Sequence, residues 1–106
     1  MYNLTLGNPE CYTMENGEDY RGTVATTEDG ETCMNWSTLS PGQRVSTETH
    51  PDKGLGEHNY CRNPDHTNGR TWCYTSHRWD RRDCDIGQPK ASCIGMCYVH
   101  IIVSAK

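Results

Sequence analysis

The residues with the most chemistry to offer in this 106-residue chain are seven cysteines, Cys11, Cys33, Cys61, Cys73, Cys84, Cys93 and Cys97. Such density in a short chain reads as a disulfide framework made in an oxidising compartment, with one cysteine left over. Counting alone leaves the pairing open. Other uses of the sulfur fit less well. Zinc sites usually pair their ligands as C-x2-C, with a second pair downstream. No two cysteines here have that spacing, and His50, His58, His66, His77 and His100 are scattered. Reactive dithiols also favour C-x-x-C, whereas Cys93 and Cys97 form C-x3-C in an apolar stretch. The motif around a serine protease nucleophile is absent, and no Ser, His and Asp set is recognisable. The expectation is a chain without catalysis, metal or cofactor.

Charge narrows the partners. Ten Lys and Arg stand against fourteen Asp and Glu, a net charge of -4. A nucleic-acid partner would need a basic face. Arg78, Arg81 and Arg82 form the only basic cluster, and Asp80, Asp83 and Asp85 are interleaved with them. That pattern reads as a solvated, self-compensating face.

The scaffold that must position these groups has little apolar material. There are three Trp, six Tyr and no Phe. Between Cys11 and Cys93 the branched aliphatics are Val24, Leu39, Val45, Leu55 and Ile86. At about 1.5–3 kcal/mol per buried side chain, they cannot offset the entropy of ordering the chain around them. Bridges worth roughly 3–4 kcal/mol each would supply the rest.

Helical periodicity is nearly absent, and punctuation is dense. Turn candidates are Asn16-Gly17, Asp29-Gly30, Pro41-Gly42 and Asn68-Gly69. The β-prone run Thr71–Thr75 predicts one strand. A second short strand is expected through Trp79 or toward Asp85-Ile86. Residues 1–10 read as a leader, and 87–92 as a linker or closing loop. Residues 94–106 read as an apolar tail of unassigned role, too short for the roughly 20 residues that cross a bilayer. No secretory signal is visible, yet the cysteines imply secretion. Asn3-Leu4-Thr5 and Asn35-Trp36-Ser37 are glycosylation sequons, in keeping with it.

The motifs arrive in a recognisable order. Cys11-Tyr12 is followed by Asn16-Gly17 and Tyr20-Arg21-Gly22-Thr23. Gly30-Glu31-Thr32-Cys33 comes next, with Trp36 just beyond, then His50-Pro51 and Gly54-Leu55-Gly56. The strongest run is His58-Asn59-Tyr60-Cys61-Arg62-Asn63-Pro64-Asp65. Trp72-Cys73-Tyr74-Thr75 and Cys84-Asp85-Ile86 complete the series. This arrangement resembles the kringle family from Cys11 to about Cys93. Gly54–Cys61 looks most like Kremen-type kringles, and the whole is also similar to plasminogen-type ones.

The resemblance implies a small, disulfide-rich, mostly irregular and β fold with short antiparallel hairpins. It implies the bridges Cys33–Cys73 and Cys61–Cys84, with Cys11 closing the domain. Cys93 lies farther from Cys84 than is usual in the family. Cys11–Cys93 is the expected third bridge, with Cys97 free or intermolecular. The function implied is a non-catalytic extracellular protein-binding module. The alternative is an accessory domain of a plasminogen-like serine protease.

Many kringles hold lysine side chains in an aromatic trough. Asp65 matches an anionic position of that trough, but Thr67 stands where a second acid normally lies. Trp72 and Tyr74 match its walls, Arg44 and Arg78 its cations, and Trp79 a shifted aromatic position. An ammonium that loses one carboxylate loses roughly 1.5–3 kcal/mol. His66 would add repulsion when protonated. The trough is therefore expected to be weakened. Trp72 and Tyr74 could equally be ordinary packing residues, and Asp65 a turn cap. Trp36, Leu55 and Tyr60 are expected in the core, and Asn59 and Arg62 in structural roles.

Overall fold

The computed structural model describes residues 9–39, 45–66, 68–76 and 80–93. Three short elements occur among them: a 3-10 turn at Trp36–Thr38, strand β1 at Trp72–Tyr74 and strand β2 at Arg81–Asp83. The strands pair antiparallel, with Trp72 opposite Asp83, Cys73 opposite Arg82 and Tyr74 opposite Arg81. The first strand lies within the predicted run. The second lies between the two expected locations. Arg-Arg-Asp has no β propensity to announce it, and the adjacent Cys84 is bonded to Cys61, beside the Arg62 that meets β1 on its other edge.

On its other edge β1 meets Arg62 in an isolated bridge. Arg62 and Trp72 exchange both backbone hydrogen bonds, at 3.1 and 2.8 Å. A second isolated bridge joins Thr26 and Thr32, and the rest of the described residues are mostly turns, bends and irregular chain, as the sequence predicts. The Asn16-Gly17 turn needs its glycine. Gly17 has φ 75°, and an added Cβ would lie 2.8 Å from the Thr71 side chain.

Three disulfides brace the fold: Cys11–Cys93, Cys33–Cys73 and Cys61–Cys84. All three match the expected pairing. The two inner bridges meet at the centre, with 3.8 Å between the Sγ atoms of Cys33 and Cys61. Around them pack Trp36, Val45, Trp72 and Tyr74, with Val24, Met34, Leu39, Leu55 and Ile86 at the margin. Val45 is thus the sole branched aliphatic in the buried cluster. The aromatic rings replace the missing aliphatics. Trp36 meets Trp72 at 5.3 Å and Tyr74 at 6.0 Å, and Trp72 meets Tyr74 at 5.1 Å, all edge-to-face. Among the described residues no helix is long and apolar enough to cross a membrane.

Candidate binding site

The site expected from sequence centres on Asp65, Trp72 and Tyr74. β1 positions the two aromatics, and hydrogen bonds fix the indoles of Trp72 and the neighbouring Trp36. Trp72 Nε1 donates to Asn63 Oδ1 at 3.2 Å. Asn63 Nδ2 in turn donates to the carbonyls of Asn16 and Asn68, at 2.9 Å each. Trp36 Nε1 donates to the Tyr60 carbonyl at 2.7 Å. Every position of β1 is buried, with Trp72 at 0% exposure and Tyr74 at 3%. Both rings therefore belong to the core as well as to the candidate site.

Asp65 stands beside them, but its carboxylate is engaged. Arg81 Nη2 donates to Asp65 Oδ2 at 2.9 Å. The same guanidinium lies over the Trp72 ring, 4.0 Å from its centroid, and 5.9 Å from that of Tyr74. The side chains of Asp65 and Arg81 are 13% and 26% exposed, so this is a partly buried pair. Sequence reasoning placed Arg81 only in a compensating surface cluster. Its spacing from Asp65 gave no clue, because the contact depends on the register of β2.

The neighbouring charges also find partners. His66 Nδ1 lies 2.7 Å from Glu18 Oε1. Arg82 pairs with Asp80 at 3.1 Å and approaches Asp29 at 3.8 Å. Arg70 pairs with Glu28 at 2.9 Å and also donates to the Cys84 carbonyl. Arg44, Thr67, Arg78, Trp79 and Cys97, as well as the sequon at Asn3, lie outside the described residues.

Behind the candidate site the HNYCRN segment is tied to the backbone. Asn59 Nδ2 donates to the Cys33 carbonyl at 3.1 Å. Arg62 is 4% exposed. Its Nη1 donates to the carbonyls of Gly22 and Cys61, and its Nε to that of Gly54. Burial pulls the Arg62 guanidinium down to about 10, which leaves it charged at neutral pH. Glu10, from the stretch read as a leader, accepts from Tyr20 Oη and from the Thr23 amide and hydroxyl. Burial pushes its carboxyl up, but those hydrogen bonds outweigh it and hold the group below its ordinary value.

A thin aromatic core, two bridges meeting within it and a third joining Cys11 to Cys93 define a small disulfide-braced module. The chain belongs to the kringle family, whose domain model matches residues 11–93. Kringles are non-catalytic, protein-binding modules. The chain is similar to putative apolipoprotein(a)-like protein 2 of Homo sapiens, 49% identical over 75 residues, or 67% of this chain and 54% of that protein. It is also similar to human tissue-type plasminogen activator, 39% identical over 95 residues, or 85% of this chain and 16% of that protein. Phosphoinositide-3-kinase-interacting protein 1 of Danio rerio is 42% identical over 92 residues, or 78% of this chain and 33% of that protein. The chain therefore spans from 16% to 54% of the length of these relatives.

Proposed function

We propose that this chain is an extracellular protein-recognition module, without catalytic activity of its own, whose lysine trough is too weak to hold free lysine. The observation that carries this reading is the burial of Trp72 at 0% exposure, beside an Asp65 carboxylate already paired with Arg81. A lysine side chain needs an accessible aromatic face for its stem and a carboxylate for its ammonium. Its partner is then a protein surface. Three disulfides argue for an oxidising, extracellular setting. The Asn35 sequon accords with it: Asn35 Oδ1 accepts from the Ser37 amide and hydroxyl at the start of the 3-10 turn, and the hydroxyl residue is exposed.

The test is a titration of the oxidised chain with 6-aminohexanoic acid, read by tryptophan fluorescence. No saturable response is expected. A tight, saturable fit would overturn the reading.

A second reading makes the chain an accessory domain of a plasminogen-like serine protease. The match to tissue-type plasminogen activator over 95 residues favours it. A full-length transcript that continues into a protease domain would establish that parentage, and one that ends without it would remove it.

A further inference from the structure

An alkylammonium ligand in an aromatic trough needs two contacts: a charge-assisted hydrogen bond to a carboxylate and an apolar or aromatic face. Arg81 makes both within the chain. Its Nη2 stands 2.9 Å from Asp65 Oδ2, and its guanidinium carbon 4.0 Å from the Trp72 centroid. We infer that Arg81 is an intramolecular occupant of the trough, seated between the Asp65 carboxylate and the Trp72 face, and that it determines which ligands the site excludes. This rests on the reading of Asp65 and Trp72 as the remains of a lysine trough.

The backbone makes this occupancy a built feature. Arg81 is directly opposite Tyr74, two pairs along from Trp72 and on the same face, within diagonal reach for a long side chain across a ladder. Both strands are anchored by disulfides close to the contact, β1 through Cys73 and β2 through Cys84, which follows it directly. Arg81 is thus delivered to Trp72 by the same bridges that hold the core together.

Tethering explains why a free ligand would lose. A group held beside its site by a short chain competes at an effective concentration on the order of millimolar or more. A lysine analogue can bind only in the fraction of molecules whose Arg81 has swung away, and its apparent affinity falls by that fraction. Arg81 is also only 26% exposed and Asp65 only 13%, so water screens their pairing less than it would on an open surface. Removing the arginine should therefore create binding, a gain that damage to the fold cannot imitate.

The experiment compares the oxidised wild-type chain, R81A and the double variant R81A/D65N in the 6-aminohexanoic acid titration. Wild type should show no saturable response. R81A should bind at least about tenfold more tightly than wild type, and the double variant should lose that gain. An R81A chain with all three bridges mapped and no gain would overturn the inference while leaving the proposed function intact. Saturable wild-type binding would overturn the proposed function, and if it equals that of R81A it would overturn the inference too. Should R81A fail to fold, R81Q enters the same titration with the same expectations. In the wild-type chain, the Arg81 δ-methylene protons should be shifted upfield by the Trp72 ring in proton NMR. Unshifted protons there would also refute the occupancy.

Discussion

His58 and Arg62 converge on one acceptor, the carbonyl oxygen of Gly54. His58 Nε2 lies 2.8 Å from it and Arg62 Nε 3.0 Å. On the other side of the imidazole, Nδ1 accepts the Tyr60 backbone N–H at 3.1 Å. The ring is thereby held neutral, with its proton on Nε2. It also stacks on Tyr60, with 4.5 Å between centroids. Gly54 itself has φ 83°, and an added Cβ there would lie 2.7 Å from Arg21 Nε.

This arrangement predicts acid sensitivity. Burial lowers the His58 pKa from its ordinary 6.5, and the Arg62 charge adds to the shift, against the opposing effect of the Gly54 carbonyl. Protonation would also cancel the acceptor that Tyr60 uses. The unfolded chain therefore binds the extra proton first. His58 should contribute no penalty well above pH 6.5. Stability should fall as the pH drops below 6.5, and the penalty should be complete once the pH passes below the folded pKa. Thermal melting of wild type and H58Q between pH 7.5 and 5 checks this. H58Q should lose part of the slope in that window. Identical slopes in the two proteins would refute the assignment.

Arg62 should be far less replaceable than its surface counterparts. Its side chain donates to three backbone carbonyls and lies 5.4 and 5.7 Å from the ring centroids of Tyr60 and Tyr20. Replacement by methionine keeps the length of the stem but leaves the carbonyls of Gly22 and Cys61 without their guanidinium donor, while that of Gly54 keeps His58. Each orphaned buried group costs roughly 1–3 kcal/mol. R62M should therefore lose about 2–4 kcal/mol in urea denaturation of the oxidised protein. R82M should change stability by less than about 1 kcal/mol, because Arg82 is half exposed and surface ion pairs contribute little. Equal effects of the two substitutions would count against the structural role of Arg62.

Much of this architecture was legible in the residues, and the exceptions have physical causes. Few aliphatics, many cysteines and dense turn signals foretell a bridge-braced fold, since so few branched aliphatics cannot stabilise the chain by themselves. The resemblance to kringles, carried by the order of motifs, implies the pairing of Cys33 with Cys73 and Cys61 with Cys84, which counting could not. Trp36 in the core is readable for the same reason. β2 was not readable, because Arg81-Arg82-Asp83 pairs through its position next to a bridge and not through propensity. The Asp65–Arg81 contact was hidden with it. Trp72 and Tyr74 could be read as wall or as packing, since strand alternation does not say whether the face they share is covered.

The three bridges should not be equally important, and loop length alone would rank them wrongly. Cys11–Cys93 closes a separation of 82 residues, Cys33–Cys73 one of 40 and Cys61–Cys84 one of 23. Chain entropy assigns about 4.5, 3.9 and 3.4 kcal/mol to these loops, a spread of only about 1 kcal/mol. Burial differs far more. Cys61 and Cys73 are 0% exposed, Cys84 is 1% and Cys33 5%, whereas Cys11 and Cys93 are only partly buried. Replacing an inner pair by alanine also removes sulfur from the centre of the aromatic cluster, and cavities there add to the cost. C33A/C73A should therefore destabilise the domain more than C11A/C93A, despite its shorter loop. Urea denaturation of the two double variants, each with its remaining bridges mapped, makes the comparison. A larger loss in C11A/C93A would mean that chain entropy, and not the packing around the inner bridges, governs the stability of this fold.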